Sequence, residues 1–199
     1  MTICYPYEGN LYVNLTNRCN CHCTFCLRDD SGSIYTENSL WLEREPTVEE
    51  VVENIEKDLE NNYNELVFCG FGEPTYRFDD ICAIIDALKK PHPIIRINTN
   101  GHGTLINGKD ITKSIKGRID KLSISLNAPD VIGYTNLTRP DQGEDAYAAM
   151  LDFATKVNEL EGVEVVFTIV NQGNTEEMQA CQKLADKLGI TLRIREFID

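Results

Sequence analysis

Six short stretches of the chain, at 11–16, 65–70, 94–98, 121–126, 163–170 and 192–197, are apolar or alternate between apolar and polar residues, and read as β-strands. Leu11, Val13 and Leu15 alternate with Tyr12, Asn14 and Thr16, and Leu122, Ile124 and Leu126 with Ser123, Ser125 and Asn127. Ile95 and Ile97 alternate with Arg96 and Asn98, and Leu192 and Ile194 with Arg193 and Arg195. Successive side chains point to opposite faces, so each of these strands has one apolar and one polar face. Between them the period lengthens to that of a helix. Val48, Val51, Val52, Ile55 and Leu59 form one stripe, and Ile81, Ile84, Ile85 and Leu88 a second. Ala146, Ala149, Met150, Phe153, Val157 and Leu160 form a third, and Met178, Cys181, Leu184 and Leu188 a fourth. Thr47 with Glu50 is a capping box, Asn174 with Glu177 caps the last helix, and Gly162 and Gly189 are stops. Residues 2–7 and 11–16 flank a turn at 8–10 and predict a hairpin onto the first strand. The stretch 101–119 is Gly-rich and weakly helical, and the polar sequence up to Pro46 reads as a loop with a turn around Trp41.

Strands alternating with helices require a parallel sheet joined by right-handed crossovers. Six units are too few to close an eight-stranded barrel, so the expected fold is α/β, an open (βα)6 partial TIM barrel with a short N-terminal hairpin. No linker, repeat or low-complexity tract interrupts it, and a single domain over 1–199 is expected. The helical stripes need the apolar strand faces, so the polar set lines the concave side. Closed barrels fill that interior with branched apolar side chains. Unpaired polar groups buried there cost about 1–3 kcal/mol each, and a ligand-filled lumen satisfies them. Arg96, Arg193 and Arg195 bring positive charge to this lumen and suit an anionic substrate, with Glu65, Glu164 and Glu196 as the competing partners.

Composition narrows the setting. At 199 residues with 42% hydrophobic content the chain can bury a full core. A net charge of −13 argues against bulk nucleic-acid binding and is concentrated in the helices at 47–61 and 143–162, as a solvated exterior would be. No stretch approaches the roughly 18 apolar residues of a membrane helix, and the N-terminus lacks a leader pattern. Eight cysteines that cluster rather than spread indicate a reducing, cytoplasmic setting. Cys82 and Cys181 lie on or near core stripes, and Cys69 ends a strand where it either packs or faces the pocket.

The candidate chemistry lies at 17–28, Asn-Arg-Cys-Asn-Cys-His-Cys-Thr-Phe-Cys-Leu-Arg. Cys19, Cys23 and Cys26 form C-x3-C-x2-C, with Cys21 as an extra thiol between them. Three thiolates from one loop can converge on one inorganic centre, and the spacing alone admits an iron–sulfur cluster, a zinc knuckle or unligated thiols.

Two further stretches, Gly-Phe-Gly-Glu-Pro at 70–74 and Asn-Thr-Asn-Gly at 98–101, follow strands in that order. Together the three motifs resemble the radical S-adenosylmethionine (radical SAM) superfamily. Ser-Leu-Trp-Leu-Glu-Arg-Glu-Pro at 39–46 and Phe-Cys-Gly-Phe-Gly-Glu-Pro at 68–74 narrow the likeness to the small TatD-associated radical SAM proteins. The resemblance implies a [4Fe–4S] cluster on Cys19, Cys23 and Cys26 and an oxygen-sensitive enzyme that cleaves S-adenosylmethionine reductively. A 5′-deoxyadenosyl radical would then abstract hydrogen from an anionic or nucleoside-like substrate. It implies contacts to S-adenosylmethionine from Phe25 near adenine, from Gly70, Gly72 and Glu73 at the methionyl amino group, and from Asn98, Ser125 and Asn127 at ribose or carboxylate. It also implies a low-potential electron donor of flavodoxin or ferredoxin type. Gly-Phe-Gly-Glu departs from the commoner Gly-Gly-Glu, and the fifth strand lacks the usual Gly-x-Ile-x-Gly, leaving Val166 and Thr168 as its candidates. No second cysteine cluster follows the strands, so no auxiliary iron–sulfur domain is expected. The competing functions are a glycyl-radical-enzyme activase and a non-catalytic metal-binding or redox module.

Overall fold

The structure, a computed structural model, describes residues 1–28 and 39–196. It opens with the expected hairpin, β1 (Cys4–Tyr7) and β2 (Asn10–Val13), turned through Glu8 and Gly9, both at positive φ. Then β3 (Glu65–Phe68), β4 (Ile94–Thr99), β5 (Lys121–Ser125), β6 (Glu164–Val170) and β7 (Thr191–Arg195) follow, each parallel to its predecessor. Strand order matches chain order from β1 to β7, so among the described residues the sheet is an open partial barrel with two edges. Part of the loop before Trp41 and the end of the last expected strand, at residue 197, lie outside the described residues.

The helices form where the stripes place them. α1 (Val48–Asp58) begins on the Thr47–Glu50 capping box, and α2 (Phe78–Ala87) follows a 3-10 turn at Pro74–Arg77. α3 (Gly103–Asn107) is one short piece of the weakly helical stretch. α5 (Asp145–Asn158) and α6 (Thr175–Leu188) complete the cover, α6 between its Asn174 cap and a left-handed Gly189. One helix, α4 (Val131–Thr138), has no counterpart among the sequence stripes. It buries only Tyr134 and Thr138 and leaves Ile132 68% exposed, so it has no apolar face for periodicity to reveal. Its signal was the Asp130 cap, whose side chain accepts from the Gly133 N–H at 2.9 Å. Arg139 is the left-handed C-cap of this helix.

The outward face of the sheet is the core. Leu11, Val13, Leu66, Phe68, Ile95, Ile97, Leu122, Ile124 and Phe167 are fully buried there, under Ile55, Ile81, Ile84, Met150 and Phe153 from the helices. The inward rows follow from register: Tyr12, Val67, Arg96 and Lys121 are lowest, then Asn98 and Ser123, with Ser125 and Thr168 nearest the strand C-termini. The floor is closed by charge. Arg96 Nε lies 2.7 Å from Glu65 Oε2, its Nη1 donates to Asn98 Oδ1 at 2.9 Å, and both ionic side chains are largely buried. Arg96 is therefore no free cation for an anionic substrate; Glu65 neutralises it. Among the described residues no helix is long and apolar enough to cross a membrane.

Removing one partner of a buried pair strands the other charge, at about 3–5 kcal/mol, whereas an apolar pair of similar volume is far better tolerated. Glu65→Ala is thus expected to lose about 3–5 kcal/mol in urea unfolding, and the double variant E65L/R96M to recover most of that loss. A double variant no more stable than Glu65→Ala would show that the pair has no such role.

Candidate active site

The cysteine loop is an extension of β2 held at its root. The Thr16 hydroxyl donates to Glu45 Oε1 at 2.6 Å and accepts from the Arg18 N–H at 3.0 Å, and Arg18 Nε donates to the same carboxylate at 2.8 Å. Arg77, only 9% exposed in its side chain, donates to Leu15 O at 3.2 Å and Pro46 O at 2.7 Å. Residues 39–46 lie against this root as a strap. Asn17 pairs with both backbone groups of Leu42 (3.0 and 2.8 Å), and Asn14 Nδ2 donates to Leu40 O at 2.7 Å. Trp41 meets the edge of Phe71 and carries the Arg28 guanidinium 4.8 Å above its ring.

The glycine motif docks on the same root. A Cβ on Gly72 would lie 2.3 Å from Thr16 O and 2.6 Å from Arg18 O, both immobile backbone, so only glycine allows this approach. The next residue completes the joint: the Glu73 N–H donates to Arg18 O at 2.8 Å. Its buried carboxylate accepts from the Thr75 N–H (3.0 Å), the Thr75 and Thr99 hydroxyls (2.6 and 2.7 Å) and the Asn100 N–H (2.7 Å). Burial raises the Glu73 pKa against the pull of these donors. The Glu73 side chain thus ties the 70–74 and 98–101 motifs together, while its backbone faces the loop.

The four loop thiols differ in setting. Cys19 and Cys23 are half-buried, Cys26 is exposed, and Cys21 is buried. The His22 and Thr24 N–H groups donate to Thr138 O and Leu137 O at 2.9 Å each, and Cys21 bridges Pro140, so 21–24 run along the end of α4. The Cys26 N–H donates to Cys23 O at 3.2 Å. The Cys21 thiol lies within reach of both Cys19 and Cys23, and its one S–H, offered to either, lowers their pKa values while its own is raised in return. Burial raises that of Cys26. Among the described residues no three His, Cys, Asp or Glu side chains are gathered closely enough to hold a metal ion as they stand.

Three soft sulfur donors on one anchored loop suit an iron–sulfur cluster better than a hard cation. The surroundings suit a second, polar ligand. Among the described residues, Ser123 Oγ and Asn127 Oδ1 are buried without a hydrogen-bond partner, Asn127 in a left-handed conformation just past β5. A cleft of about 390 Å³ opens between Thr24 and Phe25 on the loop and Asn171 and Gln172 past β6. Ser125 and Thr168 lie on the inward row nearest this end. Asn98 sits one row lower, bonded to Arg96 and to the Cys69 thiol, so Cys69 faces the lumen rather than the core. Gly70 packs against the Asn14 side chain. Arg193 and Arg195 stand exposed on β7. Sequence reasoning missed Asn20, Asn100, His102 and Tyr134. Asn100 lies inside the Asn-Thr-Asn-Gly motif and His102 directly behind it, but nothing in the motif says that their side chains reach the loop.

His102 is fully buried, with Nε2 2.8 Å from the Tyr134 hydroxyl, and burial pushes its pKa down to about 4. The groups facing its ring, the Asn20 amide, the Cys21 thiol and the Tyr134 hydroxyl, carry no charge at neutral pH, and only a backbone bond at Ala146 opposes the shift. The unfolded histidine binds its proton near pH 6.5, the folded one only near 4, so the unfolded state holds more protons in between. Stability is therefore fully present above about pH 6.5 and falls with acid toward pH 4, by an order of 3 kcal/mol. Urea midpoints across this range are expected to fall in the parent and to fall less in His102→Gln. For Gly72→Ala, thermal unfolding should show a loss of at least about 2 kcal/mol, because two backbone carbonyls must move.

The radical SAM superfamily matches residues 13–185. The GTP 3′,8-cyclase of Corynebacterium glutamicum is 34% identical over 143 residues, which cover 67% of this chain and 34% of that protein. A probable GTP 3′,8-cyclase of Thermococcus kodakarensis is 27% identical over 190 residues, or 94% of this chain and 56% of that one. The chain thus spans about a third to just over half of these relatives' length. A radical SAM methyltransferase from Sphaerobacter thermophilus shares the fold, with a TM-score of 0.60 over 97% of this chain and 68% of that one, at 15% identity. Since the family match spans most of the chain, the protein belongs to the radical SAM superfamily and is an enzyme of that type, working with a [4Fe–4S] cluster and S-adenosylmethionine.

Proposed function

We propose that Cys19, Cys23 and Cys26 hold the [4Fe–4S] cluster and that the protein acts on a nucleoside-like or anionic substrate at the mouth of the lumen. The observation that carries this is the joint at the loop root, where the Gly72–Glu73 backbone packs on Thr16 and Arg18 and so sets the cysteines beside the strand C-termini. When bound, the cluster and S-adenosylmethionine supply a 5′-deoxyadenosyl radical able to abstract hydrogen from substrate. The chain's part is to place and to shield.

Phe25, on the wall of the cleft, offers a ring to adenine. Gly70, Gly72 and Glu73 offer backbone to the methionyl amino group. Ser125 and Asn127, with the unpartnered Ser123 hydroxyl, suit ribose or carboxylate oxygens. Asn98, tied to Arg96, acts by shaping the floor beneath them. With Arg96 neutralised by Glu65, an anionic group on the substrate falls to Arg193 and Arg195 on β7. The nucleoside character is supported by relatives named for GTP, though this chain spans only part of them. The narrower likeness to TatD-associated proteins rests on Ser39–Pro46, the strap that braces the loop root. An external low-potential donor of flavodoxin or ferredoxin type supplies the electron, and the reading places the enzyme in the cytoplasm.

Anaerobically reconstituted protein with dithionite and S-adenosylmethionine is expected to form 5′-deoxyadenosine, faster when the substrate is found among nucleotides. Cys19→Ala, Cys23→Ala and Cys26→Ala should each abolish product, and Cys21→Ala should retain it. A dead Cys21 variant beside an active Cys19 variant would reverse the ligand assignment.

A further inference from the structure

Beneath the loop lies a buried polar cluster that the chemistry above leaves unused, and its protons can be placed one after another. The His102 backbone N–H donates to Asn100 Oδ1 at 2.9 Å, which leaves Asn100 Nδ2 as the donor end. That end donates to Asn20 Oδ1 at 2.8 Å, so Asn20 must present its own Nδ2 as donor. Asn20 Nδ2 reaches His102 Nδ1 at 2.9 Å and Gln142 Oε1 at 2.8 Å. Nδ1 is thereby the accepting nitrogen, and the ring proton sits on Nε2 against Tyr134. The Cys21 sulfur lies 3.8 Å from Nδ1 and takes a bond from Asn100 Nδ2 at 3.5 Å. Asn20, His102 and Tyr134 are fully buried and Cys21 is 5% exposed, so water cannot replace these contacts.

Asn20 and Cys21 are two of the three residues between Cys19 and Cys23, and both meet the same imidazole nitrogen. We propose that His102 is the positioning residue of the cluster loop. Its unprotonated Nδ1 accepts from Asn20 and packs against the Cys21 sulfur, and through these two residues the ring sets the separation of Cys19 and Cys23 and keeps Cys21 turned inward as a non-ligating thiol. The proposal rests on the reading of this loop as the cluster site. Groups around the ligating sulfurs tune a cluster's reduction potential, so loss of this anchor is expected to alter that potential and not only stability.

The test uses the full chain with His102→Leu, His102→Asn and His102→Gln. An Asn side chain places its amide oxygen where Nδ1 was, whereas Gln reaches the Tyr134 side. Two quantities are read: the cluster midpoint potential by redox titration followed by electron paramagnetic resonance, and, in apoprotein, Cys21 alkylation by iodoacetamide followed by peptide mass spectrometry. His102→Leu should shift the potential and speed Cys21 alkylation by about tenfold, as local opening becomes easier. Asn should restore both and Gln neither. Equal behaviour of Asn and Gln, or a Leu variant with parent potential and protection, would overturn the proposal. If His102→Leu does not fold, the Asn–Gln difference decides. If the parent binds no cluster, the cluster reading fails, and the alkylation arm still decides whether His102 holds the loop.

Discussion

The arrangement depends on one buried carboxylate. Among the described residues Glu73 has no cationic partner, and four donors from Thr75, Thr99 and Asn100 take the place of water around it. A carboxylate that lost these bonds inside the protein would cost several kcal/mol, so the donors must stay where they are. They come from two strand ends, past β3 and at β4, which the carboxylate locks in register at the mouth of the barrel. The backbone of the same residue holds Arg18. One side chain and one N–H therefore join the glycine motif, the Asn-Thr-Asn-Gly motif and the cysteine loop. Three stretches far apart in sequence become one surface.

That surface has a floor because the inward faces of the strands change character with height. The lowest inward row is closed by Arg96 and Glu65, with Lys121 paired to Glu164 at 3.1 Å beside them. Ion pairs neutralise that level, and it offers a ligand nothing. One row higher the groups are neutral: Cys69, Asn98 and an unpartnered Ser123 hydroxyl. At β7, Arg193 and Arg195 are exposed. On the proposed function, a ligand would turn a neutral polar part inward over this neutral row.

Much of this was legible in the sequence for a physical reason. Strand alternation and helix stripes are consequences of burial, and here the core face is continuous from Leu11 to Phe167. Caps at Thr47 and Asn174 were readable because each needs only a local hydrogen bond. α4 escaped because it buries two residues and serves as a wall for the loop, not as cover for the sheet. The cysteines, the glycine motif and the strand-end polar residues were readable as motifs, but the destination of a side chain was not. Arg96 had three candidate partners in sequence, and only the parallel register of β3 and β4 selects Glu65. Asn100 and His102 stayed silent because their bonds run to residues about 80 positions away.

The loop itself is graded from fixed to adaptable, and that grading bears on how thiols can be both anchored and open to metal. From Thr16 to Cys21 each residue but Cys19 is tied through its side chain to a group outside the loop: to Glu45, Leu42, His102 or Asn100. From His22 to Cys26 the ties to α4 and within the turn are backbone bonds, with His22 Nε2 against Asp141 at 3.1 Å on an exposed face. Cys26 at the far end is exposed. Side-chain rotation about a fixed backbone is far less demanding than moving the backbone itself, since staggered rotamers are close in energy. Sulfur atoms not yet gathered at ligating distance can therefore be brought together by χ rotation, without disturbing the glycine joint. Cys21 is the exception, because rotating it outward would strip Asn100 and His102 of a buried partner. On the proposed ligand assignment, the fourth thiol stays out of the cluster because of what it would leave behind.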